Sequence, residues 1–154
     1  MPRHVMLYAA RSQFREGKPR AMKIEDIEGI GKKYGKKLRE MGVGSVGKLL
    51  EEGGTRKARA AMAKDLDISP KLILEWVNHA DLYRVKGIGS EYSDLLEEAG
   101  VDSVKELAQR KPENLAEKIR EVNEKKKLVR RVCGVKMVTK WVDQAKGLPK
   151  MVHH

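Results

Sequence analysis

The sequence predicts an all-α protein in which two tandem copies of one helical unit pack as one compact body. Three observations lead to this prediction. The chain repeats itself at an offset of 58 residues, its apolar residues recur at helical spacing, and no useful length of it shows the apolar–polar alternation of a half-buried strand. Its 154 residues are enough for one ordinary domain or for two small units that share a core.

The internal repeat is the most informative property of the chain. Residues 27–34 read IEGIGKKY, and residues 85–92 read VKGIGSEY. At the same offset Leu38 matches Leu96, Gly42 matches Gly100, Val43 matches Val101, Ser45 matches Ser103 and Leu49 matches Leu107. Farther along, the register slips by seven residues, so that Trp76 matches Trp141. Two copies of one unit therefore account for most of the sequence.

Apolar residues in both copies recur at the spacing of a helix. Tyr34, Leu38 and Met41 stand at i, i+4 and i+7, and their equivalents in the second copy do the same. Trp76 and Trp141 each lie in an apolar stripe of this kind. We therefore expect both tryptophans, together with Tyr34 and Tyr92, to pack in the core.

Helix ends are marked by residues that suit them. We predict N-caps at Ser45, Ser69 and Ser103, first helical positions at Pro70 and Pro112, and left-handed residues just after a helix at Gly42 and Gly100. The helix of Trp76 is expected to continue through Leu82 to Val85. The two units would then share an element.

The chain begins with a segment of distinct composition. Residues 1–23 carry six basic residues against one acid, so +5 of the net charge of +11 lies there. We interpret residues 1–21 as a basic arm that folds on a partner, or as an extension with no role. The other boundaries follow the repeat: a first unit (22–81), a second unit (82–148) and a C-terminal tail (149–154). His153 and His154 resemble tag remnants and are left out of the predicted sites.

The composition of the chain restricts the classes of protein to which it can belong. No apolar run approaches 18 residues, so we expect no membrane-spanning helix. The single cysteine, Cys133, excludes an intramolecular disulfide and a cysteine-based zinc site, and it is expected to be an inert thiol in a reducing cytoplasm. The excess of positive charge indicates a polyanionic partner, most often nucleic acid. An anionic membrane surface and an acidic protein partner stay open.

The repeated core, apolar-x-Gly-Ile-Gly-x-x-Tyr-small-x-x-Leu, resembles the helix-hairpin-helix family. The resemblance is carried by Ile27, Gly29, Ile30, Gly31, Gly35 and Leu38 and by Val85, Gly87, Ile88, Gly89, Ser93 and Leu96. With its flanks, the pattern looks like a tandem helix-hairpin-helix family of unknown function. The resemblance implies two such repeats packed as one compact helical body. It also implies hairpins that grip duplex phosphates without reading sequence, and it would allow a monovalent cation on hairpin carbonyls, with no other cofactor.

The physical chemistry of the hairpin also predicts that it binds an anion. Glycines let the chain reverse and approach a ligand closely, and free N–H groups at the following helix N-terminus favour an anion. From Gly31 to Arg39 the first copy has the bases Lys32, Lys33, Lys36, Lys37 and Arg39 and no acid, whereas the equivalent stretch of the second copy, Gly89 to Glu97, has Glu91, Asp94 and Glu97 and no base. We therefore predict nucleic-acid binding by Gly29, Ile30, Gly31, Lys32, Lys33, Lys36 and Lys37. The competing interpretation is that these positions only build a tight turn.

Secondary contacts are predicted at two further places. They comprise Gly87, Gly89 and Ser90 of the second hairpin and a second basic cluster, Lys125, Lys126, Lys127, Arg130 and Arg131. Glu121 precedes Lys125 by four residues, and such helical pairing favours a solvated face over a nucleic-acid contact. His79 has no partner at ligand spacing along its helix, so we expect a surface or capping histidine.

No catalytic pattern is evident. The chain has no phosphate-binding P-loop, nucleophile elbow or metal-ligand cluster, and we expect no enzyme activity. The leading hypothesis is non-sequence-specific binding of duplex DNA through backbone phosphates, in the cytoplasm and associated with the nucleoid. The alternatives are a protein-interaction or assembly module that uses the same fold, and an RNA-binding protein associated with the ribosome.

Overall fold

The computed structural model of the protein describes residues 22–154. Eight α-helices and a short 3₁₀ turn, Ile24–Asp26, are found within this range, and its one β-type contact is an isolated bridge between Lys23 and Ser45. The prediction of a compact all-α fold is confirmed. The predicted basic arm, residues 1–21, lies outside the described residues.

The helices of the described range form two sets of four in the same order. They are α1 (Gly31–Glu40), α2 (Val46–Glu52), α3 (Arg56–Leu66), α4 (Pro70–Leu82), α5 (Ser90–Glu98), α6 (Val104–Ala108), α7 (Pro112–Lys126) and α8 (Val135–Gly147). In the first set α2 and α3 pack on α4, and in the second set α6 and α7 pack on α8. The helix that carries the tryptophan is therefore the central element of each set.

The predicted helix ends are present. The hydroxyls of Ser45, Ser69 and Ser103 accept hydrogen bonds from the N–H groups three residues later, at 3.1, 3.2 and 3.2 Å. The predicted prolines open α4 and α7, and the glycines after α1 and α5 have φ of 85° and 94°. Thr55 caps α3 in the same way, which the sequence analysis did not identify. Local side-chain chemistry thus sets most helix boundaries.

Two clusters of buried side chains form the core, one around each tryptophan. Trp76 and Trp141 are both 1% exposed, which confirms their predicted burial. The ring of Tyr34 lies 5.5 Å from that of Trp76, and the ring of Tyr92 lies 5.2 Å from that of Trp141, at tilted and edge-on angles. Both tyrosines are partly buried against their clusters. The internal repeat is thus reproduced in the aromatic packing.

The two units meet where α4 ends. Leu82 belongs to the second cluster and the next residue, Tyr83, to the first, so one helix end serves both cores. The expected continuation of α4 to Val85 is wrong, because the helix ends at Leu82. A tighter turn follows, in which the N–H of Val85 donates to the carbonyl three residues earlier, that of Leu82, at 3.1 Å. The 3₁₀ turn before the first hairpin has the equivalent bond, from Ile27 to Ile24. Helix α4 also packs against α5 and α6.

The C-terminal tail folds back onto the first unit. Val152 is 5% exposed in the first cluster, and His153 N–H donates to the carbonyl of Gly54, at 2.8 Å. The buried guanidinium of Arg59 donates to the carbonyls of Gly53 and His153, at 2.8 and 2.6 Å. Burial lowers the pKa of this guanidinium below its usual value. The tail therefore adds contacts between the end of the described chain and the α2–α3 region of the first unit.

Substitution of Gly87 by alanine is expected to destabilise the fold. Its φ is 97°, and a Cβ there would lie 3.0 Å from Nε1 of Trp141. Strain of this kind costs about 1–3 kcal/mol, or several degrees in melting temperature for a chain of this size. The measurement is thermal unfolding followed by circular dichroism.

Gly147 provides the matched control for this experiment. It ends α8 without a positive φ, and nothing lies within 4 Å of where its Cβ would be. We expect Gly147→Ala to be neutral or stabilising by up to about 1 kcal/mol. Equal melting temperatures for the two variants would contradict the proposed contact between the hairpin and the tryptophan.

Candidate nucleic-acid interface

The first hairpin is a turn with two left-handed glycines. Gly29 has φ 92° and Gly31 has φ 61°, conformations in which a side chain would be strained. Ile30, between them, is 1% exposed and packs in the first cluster, as predicted. A Cβ on Gly29 would lie 3.5 Å from Nε1 of Trp76. The turn therefore rests on the tryptophan, while both glycines stay exposed to solvent.

Helix α1 begins at this turn without a side-chain cap. Its N-cap residue, Ile30, supplies no acceptor, and the first turn of the helix contains no acidic residue. The first N–H groups of a helix have no partner within the helix and carry a partial positive charge. The N-terminus of α1 can therefore accept an anion from outside.

Four lysines surround this helix start. Lys32, Lys33, Lys36 and Lys37 are exposed, and none forms an ion pair within residues 22–154. The ammonium groups of Lys33 and Lys37 lie 5.9 and 6.0 Å from the ring centre of Tyr34. We call these four residues the α1 patch. It brings together the charged residues that the sequence predicted for phosphate binding.

Arg39 does not belong to the α1 patch. Its guanidinium donates two hydrogen bonds to the Glu25 carboxylate, at 3.1 and 2.6 Å. These bonds hold the pKa of Glu25 below its usual value. Gly35 makes room for the pair, because a Cβ there would lie 2.5 Å from Oε2 of Glu25. The sequence grouped Arg39 with the lysines because its acidic partner lies before the hairpin.

The second hairpin repeats the turn but not its electrostatics. Gly87 has φ 97° and Ile88 is 4% exposed, close to their equivalents. Gly89, however, is an extended N-cap with φ −103°, unlike Gly31. Ser90 opens α5 half-buried, and Glu91 adds an acid to its first turn. The start of α5 therefore lacks the lysines that are found at the start of α1.

The acidic residues of α5 face α4 of the first unit. His79 is buried rather than exposed, and its Nδ1 lies 2.8 Å from the hydroxyl of Ser93. Its Nε2 is bonded to the carboxylate of Glu97, and Asp94 lies 3.9 Å from Nδ1. The expectation of a surface or capping histidine is wrong, because its partners come from the next helix rather than its own. No spacing within α4 could have revealed them.

Asp94 also contacts the first hairpin. Burial, followed by a hydrogen bond and repulsion from Glu28, raises the pKa of Asp94 to about 7. Glu28 directly precedes Gly29, so Asp94 of α5 lies near the hairpin of the first unit. The acidic face of α5 thus serves contact between the units.

The second basic cluster spans the last turn of α7 and the connection from α7 to α8. Lys125, Lys126, Lys127, Arg130 and Arg131, which we call the basic loop, are all exposed. The ion pair expected between Glu121 and Lys125 is not formed, and no ion pair of the described chain involves the basic loop. These side chains are therefore available to an external anion.

Other sequence features carry no site chemistry. Cys133 is buried, and burial raises the pKa of its thiol, as expected for an unreactive cysteine. Across residues 22–154 no group of three or more His, Cys, Asp or Glu is placed to hold a metal ion. In the same range no helix is both long and apolar enough to cross a membrane.

A family model matches residues 28–148, and it is described as a domain of unknown function, DUF4332. The chain belongs to this family. No curated protein and no solved structure matches the chain. The match begins at Glu28, runs through both hairpins and ends after α8, so the DUF4332 region contains the α1 patch, the acidic contact of α5 and the basic loop.

The raised pKa of Asp94 predicts a pH-dependent stability for this DUF4332 protein. Its ordinary pKa is 3.8, so the folded state binds the proton more tightly than the unfolded state. The resulting stabilisation is complete below pH about 4 and is lost as the pH rises to about 7. Asp94→Asn keeps a neutral donor for Glu28 at every pH. Its melting temperature should therefore fall less than that of the unmodified protein between pH 5 and 8.

Circular dichroism melts at pH 5, 6, 7 and 8 measure this difference. His79, Glu97, Glu98 and Tyr83 also face Asp94, so the comparison is made against Asp65→Asn, an exposed substitution on α3. Parallel pH profiles for Asp94→Asn and the unmodified protein would show that Asp94 is not the titrating group.

Proposed function

We propose that the protein binds duplex DNA without sequence specificity, and that its repeats are helix-hairpin-helix units. The first hairpin would hold backbone phosphates at the N-terminus of α1, with the α1 patch around them. One observation carries the proposal: four exposed lysines, which form no ion pair within residues 22–154, surround an uncapped helix start on a turn of exposed glycines. We propose no catalytic activity.

Helix electrostatics support an external anion. Cations in the first turn of a helix are repelled by its dipole, at a cost of about 0.3–1 kcal/mol each. Lys32 and Lys33 occupy this unfavourable place, and no carboxylate of the described chain pairs with them. A phosphate at the helix start would offset the repulsion and bond the N–H groups at the same time.

The composition of the patch favours binding without base readout. Lysine acts as a flexible point charge, whereas the planar groups of Arg, Asn and Gln suit bidentate contacts with base edges in the grooves. Helix α1 contains neither Asn nor Gln, and its one arginine is bound to Glu25. Contacts of this kind position a protein on a duplex but do not specify sequence.

The aromatic residues favour a duplex over a single strand. Single-strand binding relies on aromatic faces on which bases stack. Tyr34 and Tyr92 pack against Trp76 and Trp141, and both tryptophans are buried. These four rings are thus committed to the core clusters rather than to a stacking platform.

Removal of charge from the α1 patch is expected to weaken DNA binding. The triple variant Lys32→Gln, Lys33→Gln, Lys36→Gln loses three ammonium groups and adds no negative charge that would repel phosphate. If each contacts one phosphate, the slope of log affinity against log salt becomes shallower by about 2.7. Fluorescence anisotropy with a labelled duplex of arbitrary sequence, at four salt concentrations, measures both affinity and slope.

A control with the same loss of charge is Lys57→Gln, Lys64→Gln, Lys71→Gln, exposed positions on α3 and at the start of α4. It should keep nearly the full slope. Equal slopes for the two triple variants would overturn the assignment to the first hairpin. Tighter binding to structured RNA than to duplex DNA would favour the RNA-binding alternative.

A further inference from the structure

Three residues of the basic loop, Lys127, Arg130 and Arg131, lie in an insertion that the first unit lacks, and the other two end α7. Residues 67–69 join α3 to α4, whereas residues 127–134 join α7 to α8. Both connections start with a left-handed residue, Asp67 at φ 56° and Lys127 at φ 51°. The second unit therefore leaves its helix in the same way and then adds five residues.

The insertion is held by specific hydrogen bonds. The buried amide of Asn123 donates to the carbonyl of Val129 and accepts from its N–H, at 3.1 and 3.0 Å. Val129 itself is 8% exposed in the second cluster. The hydroxyl of Tyr92 donates to the carbonyl of Arg131, at 2.8 Å. A connection fixed at both places presents its side chains with little further loss of conformational entropy on binding.

The basic loop and the α1 patch occupy related places in the two units. Lys33 and Lys37 flank the ring of Tyr34, which packs on Trp76. The equivalent ring, Tyr92, packs on Trp141 and bonds the main chain of Arg131. Each unit thus has a basic residue in contact with its repeated tyrosine, from α1 in one unit and from the insertion in the other.

The charged side chains of α5 differ in sign from those of α1. Helix α5 has no basic residue, and its acids Asp94 and Glu97 are engaged with Glu28 and His79. The insertion adds exposed basic side chains that form no ion pair within the described chain. Helix α5 lacks cationic side chains, and the insertion after α7 supplies them in the second unit.

We propose that the basic loop is a second phosphate-binding surface, which contacts the same duplex as the α1 patch and replaces the lysines missing from α5. The inference rests on the proposed function for its ligand. Arg130 and Arg131 can each bind a phosphate through two parallel N–H donors. The two surfaces together would extend the footprint of the protein along the phosphate backbone.

The test is Arg130→Gln, Arg131→Gln in the full chain, titrated with the same duplex and salt series. If each arginine neutralises one phosphate, the slope becomes shallower by about 1.8. Lys64→Gln, Lys71→Gln removes the same charge outside both surfaces and should leave the slope nearly unchanged. The main-chain bond from Tyr92 to Arg131 is retained, and an unchanged circular dichroism melt confirms that the loop variant folds.

The combined variant separates this inference from the proposed function. Additive slope changes, about 4.5 for the five substitutions, are expected if both surfaces contact one duplex. A loop variant with the unmodified slope, alongside a weakened α1 variant, would overturn the inference alone. Loss of binding in the loop variant only would support the inference and reject the first hairpin as the site. Absence of any duplex binding by the unmodified protein would reject both.

Discussion

The contact between a tryptophan and the glycine turn above it organises both halves of the molecule. Trp76 lies beneath Gly29 and Trp141 beneath Gly87, and each indole also packs against a tyrosine from the following helix. Glycine is needed at these points because φ is 92° at Gly29 and 97° at Gly87, and at Gly87 a Cβ would also crowd the ring, at 3.0 Å from Nε1 of Trp141. The aromatic residue thereby fixes where the chain reverses, where the next helix starts and which backbone groups reach the surface.

Two units with one backbone plan have come to carry opposite charges on equivalent helices. Helix α1 carries lysines that form no ion pair within residues 22–154, whereas α5 uses its carboxylates to contact His79 and Glu28 of the other unit. The difference has a simple physical consequence. One surface remains open to an external polyanion, and the equivalent surface becomes the joint that holds the two units together.

The sequence predicted features that depend on neighbouring residues and missed those that depend on distant ones. Ser45, Ser103 and the glycine turns were predictable because a cap or a reversal is specified within a few positions. The burial of His79 and the pairing of Arg39 with Glu25 were not, because their partners lie 14 or more residues away on other elements. The lysines of the α1 patch could be selected from the sequence, but only the structure shows that they lack acidic partners among the described residues.

The docking of the tail makes the first unit dependent on the last residues of the described chain. Arg59 reaches the carbonyl of His153 across 94 positions, and Val152 fills part of the first core. During synthesis the first unit emerges from the ribosome long before these residues exist. Until then the guanidinium of Arg59 has only one of its two carbonyl partners. The first unit is therefore synthesised first but reaches its final set of contacts only after the second unit has been synthesised.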